Sequence, residues 1–109
     1  MSKIKYENVN VRMSNAADDA REYDIQATVN NIMAVEVGNI EAGSVTKEGT
    51  VKAYFNCYGD GMLTINYQPT ASSDERSKII EAVNVFVADV KEHIKSHPIT
   101  DLESAKQVI

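Results

Sequence analysis

The stretch TVKAYFNCYGDGMLTINYQP, from Thr50 to Pro69, decides the fold. Two runs rich in aromatic and β-branched residues, the composition typical of strands, flank the tripeptide Gly59-Asp60-Gly61. Glycine and aspartate favour the tight backbone reversals that join antiparallel strands. The stretch therefore predicts a β-hairpin.

The loop length of this hairpin sets its register. A two-residue loop at Asp60-Gly61 would mix polar and apolar side chains on each face. A loop of three residues, 59–61, gives one clean apolar face instead and matches a type I turn followed by a glycine bulge, with Gly61 in the left-handed conformation. We predict the three-residue loop, which pairs Cys57 with Leu63, Phe55 with Ile65 and Ala53 with Tyr67, and leaves Tyr54, Asn56, Thr64 and Asn66 together on the other face.

A long amphipathic helix follows the hairpin. Ser72 and Glu75 form a capping box, a common signal for a helix start, and Pro98 marks the end. We predict a helix from about Ser73 to Ser96, roughly 36 Å long at 1.5 Å per residue. Its apolar stripe has a period of about 3.6 residues and contains Ile79, Ile80, Val83, Phe86, Val87, Val90 and Ile94.

The segment before the hairpin is also strand-rich. Alternation at Val9, Val11 and Met13 predicts a first strand, with a bulge near residues 7–8. Alternation then returns over residues 23–37, which suits either a hairpin that reverses near Asn30–Asn31 or one long, strongly bent strand. The hairpin is favoured because a single strand of that length would extend roughly 50 Å.

The segment GNIEAGSVTKEGT, residues 38–50, contains three glycines. Glycine is depleted in strand interiors and common in loops. We therefore expect a loop-rich excursion here, with a short strand around Ile40.

Together these elements predict an α+β fold. We expect an antiparallel sheet of four to five strands packed on one long C-terminal amphipathic helix, in two layers. The 109 residues, 43% of them hydrophobic, suffice for one core, so residues 1–97 should form a single domain. Residues 98–109 form a tail in which Thr100 and Glu103 could cap a short helix.

Composition excludes several classes of function. The formal charge of −5 disfavours nucleic acids, because their affinity depends on Lys and Arg neutralising phosphates. No apolar run is long enough to span a bilayer, so we expect a soluble protein without a membrane role. Cys57 is the only cysteine, which suits a reducing compartment, and we expect a cytoplasmic location.

Candidate chemistry is sparse. Asp89, His93 and His97 share helical spacing that could suit a metal, and Cys57 could be a nucleophile. Pro98 disfavours helical geometry at His97, so we do not expect a metal site to form, and histidines near the end of a helix are explained by their favourable interaction with the helix dipole. Cys57 falls on the apolar face of the hairpin, which favours a structural role. Carboxylates in residues 18–24 lack a cation-binding motif. We expect a non-enzymatic protein without metal or cofactor.

The most promising surface is the outer face of the hairpin, with Tyr54, Asn56, Tyr58, Thr64 and Asn66. Tyrosine is enriched at protein interfaces, although these residues also suit an ordinary solvent-facing sheet. We expect a protein–protein interaction module that self-associates, as a homodimer, through a sheet face or edge. The alternative is a site for a small apolar ligand or apolar peptide in a groove between helix and sheet, lined by Met33, Phe55 and Tyr67.

Overall fold

The computed structural model describes residues 3, 9–30, 39–59 and 62–96. Within these residues, one antiparallel sheet of five strands in sequence order precedes one helix, which confirms the predicted α+β fold. The domain boundary at residue 97 and the tail of residues 98–109 lie outside the described residues. The elements are β1 (Val11–Ser14), β2 (Asp24–Val29), β3 (Asn39–Lys47), β4 (Thr50–Tyr58), β5 (Met62–Tyr67) and α1 (Ser73–Ser96).

The hairpin of β4 and β5 has the predicted register. Phe55 lies opposite Ile65. The pairing continues without interruption from Ala53–Tyr67 at one end to Tyr58–Met62 at the other. Gly59 has a φ of 56°, a conformation that glycine adopts without steric cost. The prediction for Gly61 falls outside the described residues.

Strand β3 corrects the expected loop at residues 38–50. It is the central strand of the sheet and runs for nine residues. A bulge between Ile40 and Gly43 interrupts its pairing with β4, and Ala42 there has a positive φ of 51°. A glycine inside a strand can mark such a bulge or a close approach, and the prediction was wrong for Gly43 because it treated this residue as part of a loop. Gly49 lies in the turn between β3 and β4, as expected, and Gly38 is outside the described residues.

Strands β1 and β2 confirm part of the alternation of apolar residues that the sequence shows. Val11 is buried and Met13 half-buried in β1, and β2 ends at Val29. The Asn30 amide donates a hydrogen bond to the Asn39 carbonyl at 2.9 Å, which extends the antiparallel pairing of β2 with β3. The choice between a hairpin at residues 30–31 and one long strand concerns residues outside those described, as does the predicted bulge at residues 7–8.

Helix α1 begins and ends where the sequence predicted. The Glu75 amide donates to Ser72 Oγ and the Ser72 amide donates to Glu75 Oε1, both at 3.2 Å, which completes the capping box. Ile80 was wrongly placed in the buried stripe and is 44% exposed. The buried helix residues are Ile79, Val83, Phe86, Val87, Val90 and Ile94.

The inner face of the sheet and the buried stripe of α1 share one hydrophobic core. Phe55 on β4 meets Phe86 on α1 edge to face, with ring centroids 6.2 Å apart and planes at 77°. Aromatic pairs in this geometry add about 0.5–1.5 kcal/mol beyond the burial of their surface. The core therefore holds the helix over the centre of the sheet, which leaves both edge strands at its sides.

Candidate functional site

All five residues of the predicted patch lie on the outer face of β4 and β5. Tyr54 is opposite Asn66 and Asn56 is opposite Thr64, while their neighbours in each strand turn inward. Tyr54 and Tyr58 are 48% and 41% exposed. The register therefore brings the predicted residues together on one face, where Asn56 is half-buried and the other four are exposed.

Met62 belongs to the same surface and was not predicted. It lies opposite Tyr58 and is 74% exposed, the most exposed of the large hydrophobic side chains described. The three-residue loop already implied this pairing, because it sets residue 58 against residue 62. A large apolar side chain at such a position commonly marks an interaction surface when others adjoin it.

Strand β5 forms one edge of the sheet. No strand in the described part of the chain pairs with its free side. Its sequence, MLTINY, contains neither a charged residue nor a proline, the usual features that protect edge strands from pairing. Leu63 and Ile65 on its inner side are only partly buried. The edge therefore offers free backbone groups together with apolar side chains.

Ile80 on α1 lies on the same side of the molecule as β5. It follows Arg76 by one helical turn, and the Arg76 guanidinium lies 5.2 Å from the ring centroid of Tyr67 on β5. We name the combined feature the β5 surface. It consists of Tyr54, Tyr58, Met62, Leu63, Ile65 and Ile80.

Asn56 differs from the rest of the predicted patch because its side chain supports the bulge in β3. Its Oδ1 accepts a hydrogen bond from the Ala42 amide at 3.1 Å. The Arg12 guanidinium donates to the Ala42 carbonyl at 2.7 Å and to Thr28 Oγ1 at 3.2 Å. Both backbone groups of Ala42 are thus satisfied from the outer face, and Asn56 has a structural role.

A groove of about 1000 Å³ lies on the opposite side of the molecule, between β1 and α1. We name it the β1 groove. The expected groove residues are placed elsewhere: Phe55 is fully buried, Tyr67 lies at the β5 side, and Met33 is outside the described residues. The apolar lining of the β1 groove includes Met13, Ala82, Val85 and Phe86.

The charged loop between β1 and β2 is held by Arg21. Its guanidinium donates to Asp24 Oδ1 at 2.6 Å and to the backbone carbonyls of Asp18 and Ala16. The Asp18 carboxylate in turn accepts the amide of Ala20 at 2.9 Å. These contacts are internal to the loop, so its carboxylates support the turn.

Tyr23, Glu75 and Lys52 link the sheet to the start of the helix. The Tyr23 hydroxyl donates to Glu75 Oε2 and the Lys52 ammonium donates to Glu75 Oε1, both at 3.3 Å. Burial, together with the nearby Glu22 and Glu75 carboxylates, raises the pKa of Tyr23 to about 12. The hydrogen bond from the Ser72 amide, helped by Lys52, lowers the pKa of Glu75.

Of the remaining chemical candidates, Asp89 and His93 both line the β1 groove, whereas Cys57 lies apart from them. The Cys57 thiol is buried in the core, whereas His93 lines the β1 groove at the other side of the helix. His97 is outside the described residues. Among the described residues, no group of three or more histidine, cysteine or acidic side chains could hold a metal ion. In the same part of the chain, no helix combines the length and the apolar character needed to cross a bilayer.

The chain matches no protein-family model, and the searches of curated proteins and of solved structures find no significant match.

Proposed function

We propose that the protein is a non-enzymatic interaction module that self-associates through the β5 surface. The observation that carries the proposal is the free edge of β5, which is uncharged, has the exposed Met62 on its outer face and has the partly buried Leu63 and Ile65 on its inner face. Such an edge readily pairs with another strand unless it is covered. A homodimer would cover it with a second copy of the same edge.

The backbone of β5 supports a specific register for this pairing. The Gln68 amide donates to the Lys52 carbonyl at 2.9 Å, which fixes the residues that bond inward to β4. Because bonding alternates along an antiparallel pair, Leu63, Ile65 and Tyr67 present their backbone groups to the free side. The strand therefore has three residues available for a new ladder.

A two-fold axis at Ile65 uses all three residues. Ile65 would then pair with Ile65 of the second copy, and Leu63 would pair with Tyr67 of the second copy. Residues directly opposite in an antiparallel pair lie on the same face, so apolar inner side chains would meet across the interface. An interface of this kind is isologous, as in most dimers.

The experiment is size-exclusion chromatography with light scattering at high micromolar concentration. Thr64→Lys places a charge on the exposed outer side of β5, and Ile80→Glu places one on the helix beside it. Ser77→Lys adds the same charge as Thr64→Lys at an exposed position on the helix, outside the residues of the β5 surface, and serves as the control. Circular dichroism confirms that each variant is folded.

We expect wild type and Ser77→Lys to elute with twice the 12.0 kDa chain mass, and both surface variants to shift to the monomer. A wild-type monomer would overturn the proposal. Equal dissociation by Thr64→Lys and Ser77→Lys would also overturn it, because charge alone would then explain the effect.

The proposal includes a cytoplasmic location. A single buried cysteine such as Cys57 needs no oxidising compartment, and reduced thiols are usual in the cytosol. The outward tyrosines Tyr54 and Tyr58 flank Asn56 on the face beside the edge, where they would extend the interface or receive a protein partner.

A further inference from the structure

The helix wall of the β1 groove has a regular arrangement of charge. Glu81, Val85 and Asp89 follow one another at intervals of four residues, so they form a line along one side of α1. Val85 is 54% exposed. The backbone rise between Glu81 and Asp89 is about 12 Å at 1.5 Å per residue. An exposed apolar residue is therefore flanked by two acidic residues about 12 Å apart.

These acidic side chains are available to a ligand. Glu81 and Asp89 are exposed, and neither forms an ion pair with another residue in the ranges 9–30, 39–59 and 62–96. Two basic residues of the groove have acidic partners, since Arg21 binds Asp24 and Lys78 lies 3.8 Å from Glu22. Arg12 also lines the groove, and its guanidinium donates to Thr28 Oγ1 and to the Ala42 carbonyl on the outer face of the sheet. The unpaired charge on the helix wall is thus negative.

The floor and the sheet side of the groove suit an extended chain. The half-buried Met13 and Ala82 and the buried Phe86 line the groove together with Val85 and give it an apolar part. Strand β1 is the edge of the sheet here. The Asn15 amide donates to the Ile25 carbonyl at 3.0 Å, so alternation leaves the backbone groups of Arg12 and Ser14 turned toward the free side.

We propose that the β1 groove binds an extended segment of another polypeptide in which one apolar residue stands between two basic residues, in the order Lys-x-apolar-x-Lys. In an extended chain, alternate side chains face the same side, and the first and fifth lie about 13 Å apart at 3.3 Å per residue. This spacing matches that of Glu81 and Asp89. The segment would add a strand to β1 through Arg12 and Ser14.

The proposal concerns a different site from the self-association surface. The β1 groove and the β5 surface lie at opposite edges of the sheet and on opposite sides of α1. Val85 and Ile80 are therefore a matched pair of exposed apolar helix residues. Substituting each by glutamate tests the two proposals separately.

The experiment measures binding of a fluorescent peptide, Gly-Lys-Thr-Leu-Thr-Lys-Gly, to the full chain by fluorescence anisotropy. The comparison peptide carries glutamate in place of both lysines. Protein variants are Val85→Glu, the double variant Glu81→Gln/Asp89→Asn, and Ile80→Glu as the control. Chemical shifts of the Arg12 and Ser14 amides report strand addition at β1.

We expect the lysine peptide to bind more tightly than the glutamate peptide, and more weakly as salt concentration rises. The Glu81→Gln/Asp89→Asn variant should weaken binding roughly three- to tenfold, as two exposed ion pairs imply. Val85→Glu should abolish binding because it places a charge in the apolar part of the groove, whereas Ile80→Glu should leave it unchanged.

Three outcomes would overturn the inference. The glutamate peptide could bind as tightly as the lysine peptide, or Val85→Glu could have no larger effect than Ile80→Glu. Val85→Glu could also convert a wild-type dimer into a monomer, which would assign the groove to a second copy of the chain. Each result is independent of the Thr64→Lys test of the β5 surface.

Discussion

The ring of Phe55 occupies the space that a side chain at Gly43 would need. A Cβ atom built on Gly43 would lie 2.5 Å from two carbons of that ring, well inside the closest approach that carbon atoms tolerate. Phe55 is fully buried and also meets Phe86 on the helix, so its ring has little room to move. The glycine in β3 therefore allows the central strand and the aromatic core to coexist.

Gly43→Ala should destabilise the fold. Overpacking in a well-packed core typically costs about 1–3 kcal/mol, and we expect a value in the upper half of that range because the obstructing atoms belong to a buried ring. Urea unfolding measures the loss. Adding Phe55→Leu should recover part of it, so that the double variant is more stable than the sum of the single effects implies.

Gly49→Ala is the matched control for this cycle. Gly49 has a φ of 80° and nothing near the position of a Cβ, so alanine there should cost about 1 kcal/mol through backbone strain alone. It should show no coupling to Phe55→Leu. Additive behaviour of the Gly43 and Phe55 substitutions would contradict the proposed contact.

Asn56→Ala should weaken the bulge in β3. The substitution removes the acceptor of the Ala42 amide, and the loss of such a hydrogen bond typically costs about 0.5–1.5 kcal/mol. Asn66→Ala, on the same outer face but without a side-chain hydrogen bond to any described residue, should change stability by less than about 0.5 kcal/mol. Faster hydrogen exchange of the Ala42 amide in the Asn56 variant alone would locate the effect.

Tyr23 should make the protein sensitive to alkali. Its pKa is raised from 10.0 to about 12, so the folded state holds the proton more tightly than the unfolded state does. The resulting stability is complete below pH 10 and is lost as the pH rises toward 12. Tyr23→Phe should remove this step from a plot of melting temperature against pH, while Tyr67→Phe should leave it in place.

Glu75, in the capping box of α1, should make the stability of the fold fall in acid, whereas Tyr23 makes it fall in alkali. The pKa of Glu75 is lowered below its usual 4.5, so its stabilising effect is present above that pH and is lost as the pH falls through the lowered value. Glu75→Gln should therefore flatten the acid limb of the melting-temperature curve. Ser72→Ala removes the other half of the box and should cost about 1 kcal/mol at neutral pH.

The hairpin and the helix could be predicted because their signals are local. A three-residue loop with two glycines fixes the pairing of its strands, and a capping box with a helical apolar stripe fixes the start of α1 and its buried side. The predicted register also puts Tyr54 and Tyr58 on one face of the hairpin. The same register pairs Met62 with Tyr58, so the position of Met62 on that face could have been predicted as well.

Strand β3 could not be predicted because its signal is non-local. Gly43 looks like a loop residue until the ring of Phe55, twelve positions later, is known to lie against it. The exposure of Ile80 has a similar origin, since it depends on how far the sheet extends beneath the helix. The β1 groove arises only when residues from both ends of the chain meet, so no single segment indicates it.

The meander order also has a consequence for synthesis of the chain. Each strand pairs with the strand made just before it, so the sheet can form one hairpin at a time as the ribosome releases it. The helix that covers the inner face comes last among the described elements, and its final turn ends at Ser96. Until then the face that carries Ile25, Val45 and Phe55 is open, and a nascent chain in this state is prone to aggregation.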